Sequence, residues 1–291
     1  MSDTKVPDWL KPHLFIGKKF KDLTSSEVQE IRNKMAGFAS DKPEVSILIP
    51  AWNEEDNIYR TLSSLVNNTT SMDVEIVVIN NNSTDGTQAV LDQLGVKNYF
   101  EVKQGITFAR QLGLQMAKGK YHLCADSDTF YPPKWIESMV QPMKDGDNVV
   151  GVYGRYSFIP PEGESQLLLW MYEKITGILI RIRKKNREYI NVLGFNMGFI
   201  TEIGRKNGGF EVSDVRKFDN ARNSEYFVEE SEDGRMAINL KKTGNLKLVT
   251  NKAARAYTSS RRITAEGGIS KSFMQKFGMH MTRLNEYIFS K

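Results

Sequence analysis

The chain is poor in the residues that most often form crosslinks or bind zinc. Its 291 residues include one cysteine, Cys124, and three histidines, His13, His122 and His280. A single cysteine excludes an intrachain disulfide, and histidines so far apart in sequence argue against a zinc site or a histidine-based triad. No apolar run reaches the ~18 residues that span a bilayer. With no secretory signal pattern at the start, we expect a cytoplasmic protein.

Several motifs of nucleotide and ester chemistry are absent as well. The sequence has no G-x-x-x-x-G-K-[ST] loop, no G-x-G-x-x-G fingerprint and no G-x-S-x-G elbow, which argues against P-loop, dinucleotide-binding and α/β-hydrolase enzymes. The net charge of +5 and the pI of about 9.0 favour an anionic ligand or an anionic membrane surface. We expect no nucleic-acid partner, because no aromatic-interleaved basic motif occurs.

The region that follows residue 42 alternates short apolar runs with segments of helical periodicity. Strands are predicted at 45–49, 74–79, 99–102 and 121–125, and helices at 57–65, 89–94 and 106–117. Such alternation predicts βαβ units with right-handed crossovers. The fold class is therefore α/β, with a mostly parallel sheet flanked by helices.

Polar residues follow three of these predicted strands, at 51–55, 80–85 and in the sequence Asp126-Ser127-Asp128. Ligands bind at the carboxyl ends of parallel strands, so these clusters should share one rim. Two carboxylates one residue apart point in different directions, so they can meet different partners. Mg²⁺ or Mn²⁺ is often bound by one or two protein carboxylates together with the phosphates of a substrate. An isolated Asp-x-Asp is more often a solvated turn. Three clusters on one rim favour a site.

Four motifs in order carry a resemblance to a known family. V-S-I-L-I-P-A-W-N-E-E, E-I-V-V-I-N-N-N-S-T-D-G-T, A-R-Q-L-G-L-Q-M-A-K-G-K-Y and A-D-S-D lie between about residues 44 and 131. Their order and spacing resemble family 2 glycosyltransferases with the GT-A fold, and a looser match continues to about residue 262. The resemblance implies a nucleotide-sugar donor, Mn²⁺ or Mg²⁺, and inversion at the anomeric carbon.

The resemblance also implies roles for single residues. The donor-binding loop would contain Pro50, Ala51, Asn53 and Glu54, with Arg110 near the base or diphosphate, Asp126 at the ribose and Asp128 on the metal. Asn80 stands where the family usually has an aspartate that meets the base. An amide can accept a bond from a base N–H but brings no charge. The resemblance implies a uridine diphosphate sugar as donor, and the amide of Asn80 weakens the expectation that the base is uracil.

Inverting transfer needs a carboxylate that takes the proton of the acceptor hydroxyl. The segment 230-ESEDGRMAINLKKTG-244 resembles the family's acidic helix start, with Asp233 as the base. Acidic residues in a first turn also complement the helix dipole, which is the simpler explanation. Arg261 and Arg262 are expected to clamp the leaving diphosphate. A solvated basic pair is the alternative for these arginines.

We expect three segments: an N-terminal extension at 1–42, a GT-A domain at 43–265 and a C-terminal helix at 266–291. Within the domain, 43–131 would bind the nucleotide and 132–265 the acceptor. A helix predicted at 165–183 has an apolar stripe and a basic end. Such a stripe is most often core or a dimer face. Peripheral contact with the inner membrane face is the alternative.

The predicted function is transfer of a sugar to a hydroxyl of a glycan or lipid-linked saccharide, as in polysaccharide biosynthesis. One alternative is a nucleotidyltransferase of the same fold, against which stands the lack of Gly, Lys and Arg at 50–56. The other is a non-catalytic protein that binds a sugar or nucleotide. The acidic set of Asp126, Asp128 and Asp233 argues against that alternative.

Overall fold

The computed structural model describes residues 6–159, 166–212 and 231–261, together with residues 271, 274 and 278. Within the helix that follows residue 165, the side chains of 166–168 and 172 are not described. Arg262 and nearly all of the predicted C-terminal helix at 266–291 lie outside the described residues, so both remain predictions.

Helices and strands alternate through the first half of the chain and mix more freely in the second. In chain order they are α1 (Ser25–Met35), β1 (Val45–Ala51), α2 (Ile58–Leu65), β2 (Val74–Asn80), α3 (Thr87–Leu94), β3 (Lys97–Phe100), α4 (Ile106–Met116), β4 (Tyr121–Cys124), β5 (Thr129–Phe130), α5 (Trp135–Asp145), β6 (Val149–Gly154), β7 (Tyr156–Ile159), α6 (Gln166–Asn186), β8 (Met197–Ile200), α7 (Thr201–Lys206), α8 (Glu232–Lys241), β9 (Asn245–Val249) and β10 (Ala256–Ser259). The predicted α/β class is confirmed.

A mostly parallel sheet forms the centre, with strand order β3-β2-β1-β4-β8-β6-β9. β1 pairs in parallel with β2 and β4, and their side chains are almost all buried, as expected for strands covered by helices on both faces. β8 is the exception, since it runs antiparallel to both β4 and β6. The sequence pattern did not predict β8, whose four residues are too few to show a period.

A second sheet of three strands, in the order β5-β10-β7, lies beyond the end of β4. The sequence at 149–157 predicts one strand, but the chain changes sheets at Arg155 between β6 and β7. Buried Asn196 holds this junction: its amide donates to the carbonyls of Arg155 (2.7 Å) and Ala254 (2.9 Å), and its Oδ1 accepts from Trp135 Nε1 (2.8 Å). Asn196 thus joins the two sheets.

The region before β1 packs on the domain itself. The sequence at 24–38 predicts one helix capped by Thr24 or Ser25. Thr24 caps α1 by accepting from Glu27 N, and α1 ends at Met35, followed by a short 3₁₀ turn. Ile31, Met35 and Phe38 belong to the same hydrophobic cluster as β1. The segment predicted as an extension therefore shares the core of the domain.

Two further properties concern the interior of the described chain. Cys124, at the end of β4, is buried, and burial raises the pKa of its thiol to about 12. Within the described ranges, no helix combines the length and apolar character that crossing a bilayer requires.

Candidate active site

The ends of β1 and β2 form a rim whose two loops are bonded to each other. Asn53 adopts a left-handed conformation (φ 54°), in which its Oδ1 accepts from Thr84 N at 2.8 Å and its own N–H donates to Ser83 Oγ at 3.0 Å. Such a conformation is uncommon outside glycine, and asparagine is among the residues that tolerate it best. Pro50 and Ala51 lie at the strand end, with Ala51 buried. The predicted donor loop is therefore a fixed turn.

Asn80 lies below this rim. It is fully buried, its Oδ1 accepts from Ser83 N at 3.1 Å, and its amide donates to Gln88 Oε1 at 2.8 Å. In this arrangement the side chain holds the loop that follows β2, as an Asx turn does. Neighbouring Trp52, 40% exposed, presents an aromatic surface on the rim that the sequence reasoning assigned no role.

The two aspartates after β4 point toward different partners, as their spacing predicted. Asp126 Oδ1 accepts from Arg110 Nη2 at 2.8 Å, whereas Asp128 Oδ2 accepts from Arg261 Nη2 at 3.0 Å. Buried Tyr131 fixes the turn between them, since its hydroxyl accepts from Asp126 N (2.9 Å) and donates to Phe195 O (2.8 Å). Nothing in the sequence pattern singled out Tyr131.

Glu54, Asp128 and Arg261 form what we call the Arg261 cluster. Arg261 Nη2 lies 2.9 Å from Glu54 Oε1 and 3.0 Å from Asp128 Oδ2, so one guanidinium connects the β1 loop, the β4 loop and the end of β10. Burial raises the pKa of Glu54, and Asp128 adds to the rise while Arg261 opposes it. The Arg261 side chain remains half exposed, and a ligand at the rim can reach it.

Arg110, Asp126, Glu232 and Asp233 form the Arg110 cluster. The guanidinium is buried, its Nη2 pairs with Asp126, and its Nε lies 3.6 Å from both Glu232 Oε1 and Asp233 Oδ1. These carboxylates raise the pKa of Arg110 further above its usual range, against the effect of burial. The predicted base and the predicted donor-binding aspartate thus contact the same arginine.

Asp233 lies in the first turn of α8, where Ser231 caps the helix by accepting from Gly234 N at 3.1 Å. Burial raises the pKa of Asp233 to about 7, with Glu232 adding to the rise and Arg110 opposing it. Asp233 Oδ1 is buried and has no hydrogen-bond partner within the described residues. A carboxylate with a pKa near neutrality suits proton transfer.

Gly194 is a residue of the site that the sequence reasoning missed. Its carbonyl accepts from Arg110 Nη1 at 3.2 Å, and a Cβ at this position would collide with Arg110 Nη2 and Asp233 Oδ1. A side chain at this position would therefore displace the charged groups of Arg110 and Asp233. The sequence shows only a glycine in L-G-F-N, and its place beside Arg110 and Asp233 becomes visible only in the folded chain.

The charge balance of the two clusters bears on a metal ion. Glu54, Asp126, Asp128, Glu232 and Asp233 supply five carboxyl groups against the two guanidiniums of Arg110 and Arg261. Between residues 6 and 261, so far as they are described, no group of three or more His, Cys, Asp or Glu could enclose a metal by itself. An acidic site with one or two available carboxylates fits a Mn²⁺ or Mg²⁺ that takes its other ligands from a diphosphate.

The family model for glycosyl transferase family 2 matches residues 46–206. Because this match covers more than half of the chain, the chain belongs to glycosyltransferase family 2. An uncharacterized glycosyltransferase of Haemophilus influenzae is 30% identical over 139 residues, which are 45% of this chain and 42% of that protein. The chain therefore spans less than half of the length of this relative.

Solved structures of glycosyltransferases share the fold. A mannosyltransferase of Pyrobaculum calidifontis in complex with GDP-Man and Mn²⁺ superposes with a TM-score of 0.53 at 18% identity, covering 79% of this chain and 62% of that one. Glucosyl-3-phosphoglycerate synthase of Mycobacterium tuberculosis, in complex with Mn²⁺, UDP-Glc and phosphoglyceric acid, gives 0.51 at 18% identity, covering 85% and 81%. The GT-A fold predicted from the motifs is confirmed.

Proposed function

We propose that this protein transfers a sugar from a nucleotide sugar to an acceptor hydroxyl with inversion, and that Asp233 is the general base. The observation that carries the proposal is the Arg110 cluster. It puts a carboxylate with a pKa of about 7 on the same guanidinium as Asp126, the first aspartate after β4. A base so close to the donor rim can receive the acceptor proton beside the bond that breaks.

In this reaction the donor lies across the ends of β1, β2 and β4. The acceptor hydroxyl gives its proton to Asp233, and its oxygen attacks the anomeric carbon from the side opposite the diphosphate. The bond from that carbon to the diphosphate oxygen breaks, and the products are an inverted glycoside, a nucleoside diphosphate and protonated Asp233. Arg261 stabilises the departing negative charge.

Asp128, with Asp126 beside it, would hold a Mn²⁺ or Mg²⁺. A bound divalent ion there supplies positive charge that stabilises the diphosphate leaving group. The excess of carboxyl groups over guanidiniums supports this assignment, since a diphosphate would otherwise enter an acidic site. Glu54 and Asp128 also keep Arg261 at the rim while no donor is bound.

For the acceptor we propose a glycan or lipid-linked saccharide, with peripheral contact at the inner membrane face as one setting. The support comes from α6, which exposes Ile178 (59%), Met171 (39%) and Trp170 (38%). Exposed Lys184 and Lys185 follow at its basic end. An apolar surface beside basic residues is typical of helices that lie on anionic membranes.

The proposal is tested by measuring donor binding and transfer separately. Calorimetric titration with uridine and guanosine diphosphates and Mn²⁺ should give a saturable, metal-dependent signal with one of the bases. Asp128→Asn should lose that signal, and Asp233→Asn should keep it while losing transfer. Asp147→Asn, the same change at an exposed position remote in sequence from both clusters, is the control. Full turnover by Asp233→Asn would refute its role as base.

A further inference from the structure

A cavity lies apart from the donor rim, between β7, the first described residues of the chain and α6. Its volume is about 640 Å³, and its walls include the start of β7, the start of β10 and one side of α6. This volume is in the range of small-molecule sites, roughly 300 to 1,000 Å³. Arg255 lines the cavity, and Ser259, four residues later, bonds to the carbonyl of Asp128 at the rim. At the usual rise of a strand, these two residues are about 13 Å apart.

The lining of this cavity is strongly basic. Five of its residues are cationic, and Glu173 is its one acidic residue among those described; the cations are Arg155, Lys174, Arg181, Lys252 and Arg255. Glu173 is already engaged, since it accepts from Ser157 Oγ (2.9 Å) and Phe158 N (3.1 Å) and lies 3.6 Å from Arg255 Nη1. The remaining positive charge therefore has no counter-charge in the described walls.

Arg155 lines this cavity with a donor that no described residue uses. Its Nε is buried, and within the described chain it has no hydrogen-bond partner. Burial lowers the pKa of Arg155, and the nearby cations Arg255 and Arg181 lower it further. Since Asn196 and Ala256 bond to its carbonyl, the Arg155 backbone is fixed at the junction of the two sheets. Within the described residues Arg155 has no acidic partner of its own, and an anion placed among these three guanidiniums would offset their mutual repulsion.

Apolar groups complete the cavity. Trp170, Phe158 and Ile178 contribute to the same walls. The Lys174 ammonium lies 5.3 Å from the centre of the Trp170 ring, so a cation and an aromatic face are adjacent there. A ligand that satisfies all of these walls carries a multiply charged anionic group and an apolar body.

We propose that this cavity binds the phosphate group of an amphipathic phosphate ester, with Arg155, Arg181 and Arg255 as its cationic partners. A phosphate suits the site better than a single carboxylate, because the excess of cations exceeds one charge and guanidiniums pair with phosphate oxygens in a bidentate manner. The ester is either a soluble molecule or a lipid headgroup. The inference goes beyond the proposed transfer reaction and does not depend on it.

The first experiment measures thermal stability of the full chain with inorganic phosphate at low and high chloride. A bound ligand raises apparent stability by mass action. Phosphate should therefore raise the melting temperature at low salt, and the Arg155→Gln variant should lose at least about tenfold in phosphate affinity, as expected for loss of a charge-assisted bond. Vesicles of phosphatidylcholine with and without phosphatidylglycerol separate the lipid source from the soluble one.

Three further variants make the outcome unambiguous. Arg261→Gln removes a cation from the donor rim and should keep the phosphate effect, whereas Arg255→Gln should lose it. Lys42→Gln is a matched loss of charge at an exposed position and should behave as wild type. Without ligand, Arg155→Gln should melt at the same or a higher temperature, because an unpaired cation is removed; a purely structural role would lower it. The proposal fails if neither phosphate nor anionic vesicles distinguish Arg155→Gln from wild type.

Discussion

Arg110 connects the aspartate turn after β4 with the acidic first turn of α8. It lies on α4, yet it contacts Asp126 after β4, Gly194 before β8 and the acidic pair that opens α8. Removing the arginine would leave three mostly buried carboxylates without a cation, which costs about 3 to 5 kcal/mol. The Arg110 cluster is thus important both for holding the chain together and for setting the pKa of the proposed base.

The pKa of Asp233 makes a prediction for both activity and stability. Its value rises from 3.8 to about 7 on folding, so the folded state binds more protons than the unfolded state between those pH values. Stability should therefore fall as the pH rises through this window. Transfer should rise over the same window with a midpoint near 7, because the base acts when deprotonated.

Asp233→Asn should accordingly abolish transfer and, above pH 7, stabilise the fold. The gain is at most about 4 kcal/mol, three pKa units at about 1.4 kcal/mol each, and it should vanish at pH 4, where Asp233 is protonated in the folded state. Urea unfolding at the two pH values measures it. A variant that is equally or less stable above pH 7 would show that the carboxylate is not strained by burial.

At the scale of elements, α8 positions Asp233, the proposed base, through its first turn. The Ser231 cap fixes the start of this helix, and the aspartate follows two residues later. α1 has a cap of the same kind at Thr24, far from both clusters in sequence. The two helices therefore offer matched substitutions that separate stability from catalysis.

Ser231→Ala and Thr24→Ala should each lower the free energy of unfolding by about 1 kcal/mol. Only Ser231→Ala should also lower the turnover number, because loosening the first turn of α8 shifts Asp233 relative to Arg110. Chemical denaturation and steady-state transfer assays on both variants check this. Equal turnover in the two variants would mean that the cap has no part in placing the base.

The elements also separate what a sequence can predict from what it cannot. β1, β2 and β4 are buried on both faces and read as continuous apolar runs, so their positions followed from local pattern. The close approach of Gly194 to Arg110 and Asp233, and the burial of Asn80 beside Ala51 of β1, depend on contacts with residues distant in sequence. β5 and β8 were not predicted, since β5 has only two residues and β8 forms by antiparallel pairing with strands distant in sequence.

At the scale of the whole molecule, the two sheets depend on one asparagine. Asn196 is buried and bonds Trp135 of α5, the β6–β7 junction and the turn before β10. The Arg261 cluster spans the same division, from the β1 loop to the end of β10. The rim that we propose binds the donor therefore has its present geometry only when the three-stranded sheet packs in place on the seven-stranded one.

Asn196→Ala should cost about 2 kcal/mol or more, because it leaves the buried Trp135 donor and the Ala254 carbonyl unpaired at about 1 to 3 kcal/mol each, while Ala256 N still bonds to the Arg155 carbonyl. Donor affinity should fall together with stability, since Arg261 moves with β10. Asn33→Ala on the exposed face of α1 is the control and should stay within about 0.5 kcal/mol of wild type. Unfolding in urea and donor titration provide both measurements, and normal stability of Asn196→Ala would refute the coupling of the sheets.

The reactivity of Cys124 should report how often the region around β4 unfolds locally. It is the sole thiol of the chain, it is buried beside the aspartate turn, and its raised pKa leaves almost no thiolate near neutral pH. A thiol reagent should therefore modify the protein only as fast as β4 becomes exposed. Labelling followed by mass spectrometry should give one adduct, slowly, and more slowly still with donor and Mn²⁺. Cysteines introduced on the surface could then be labelled selectively for distance measurements.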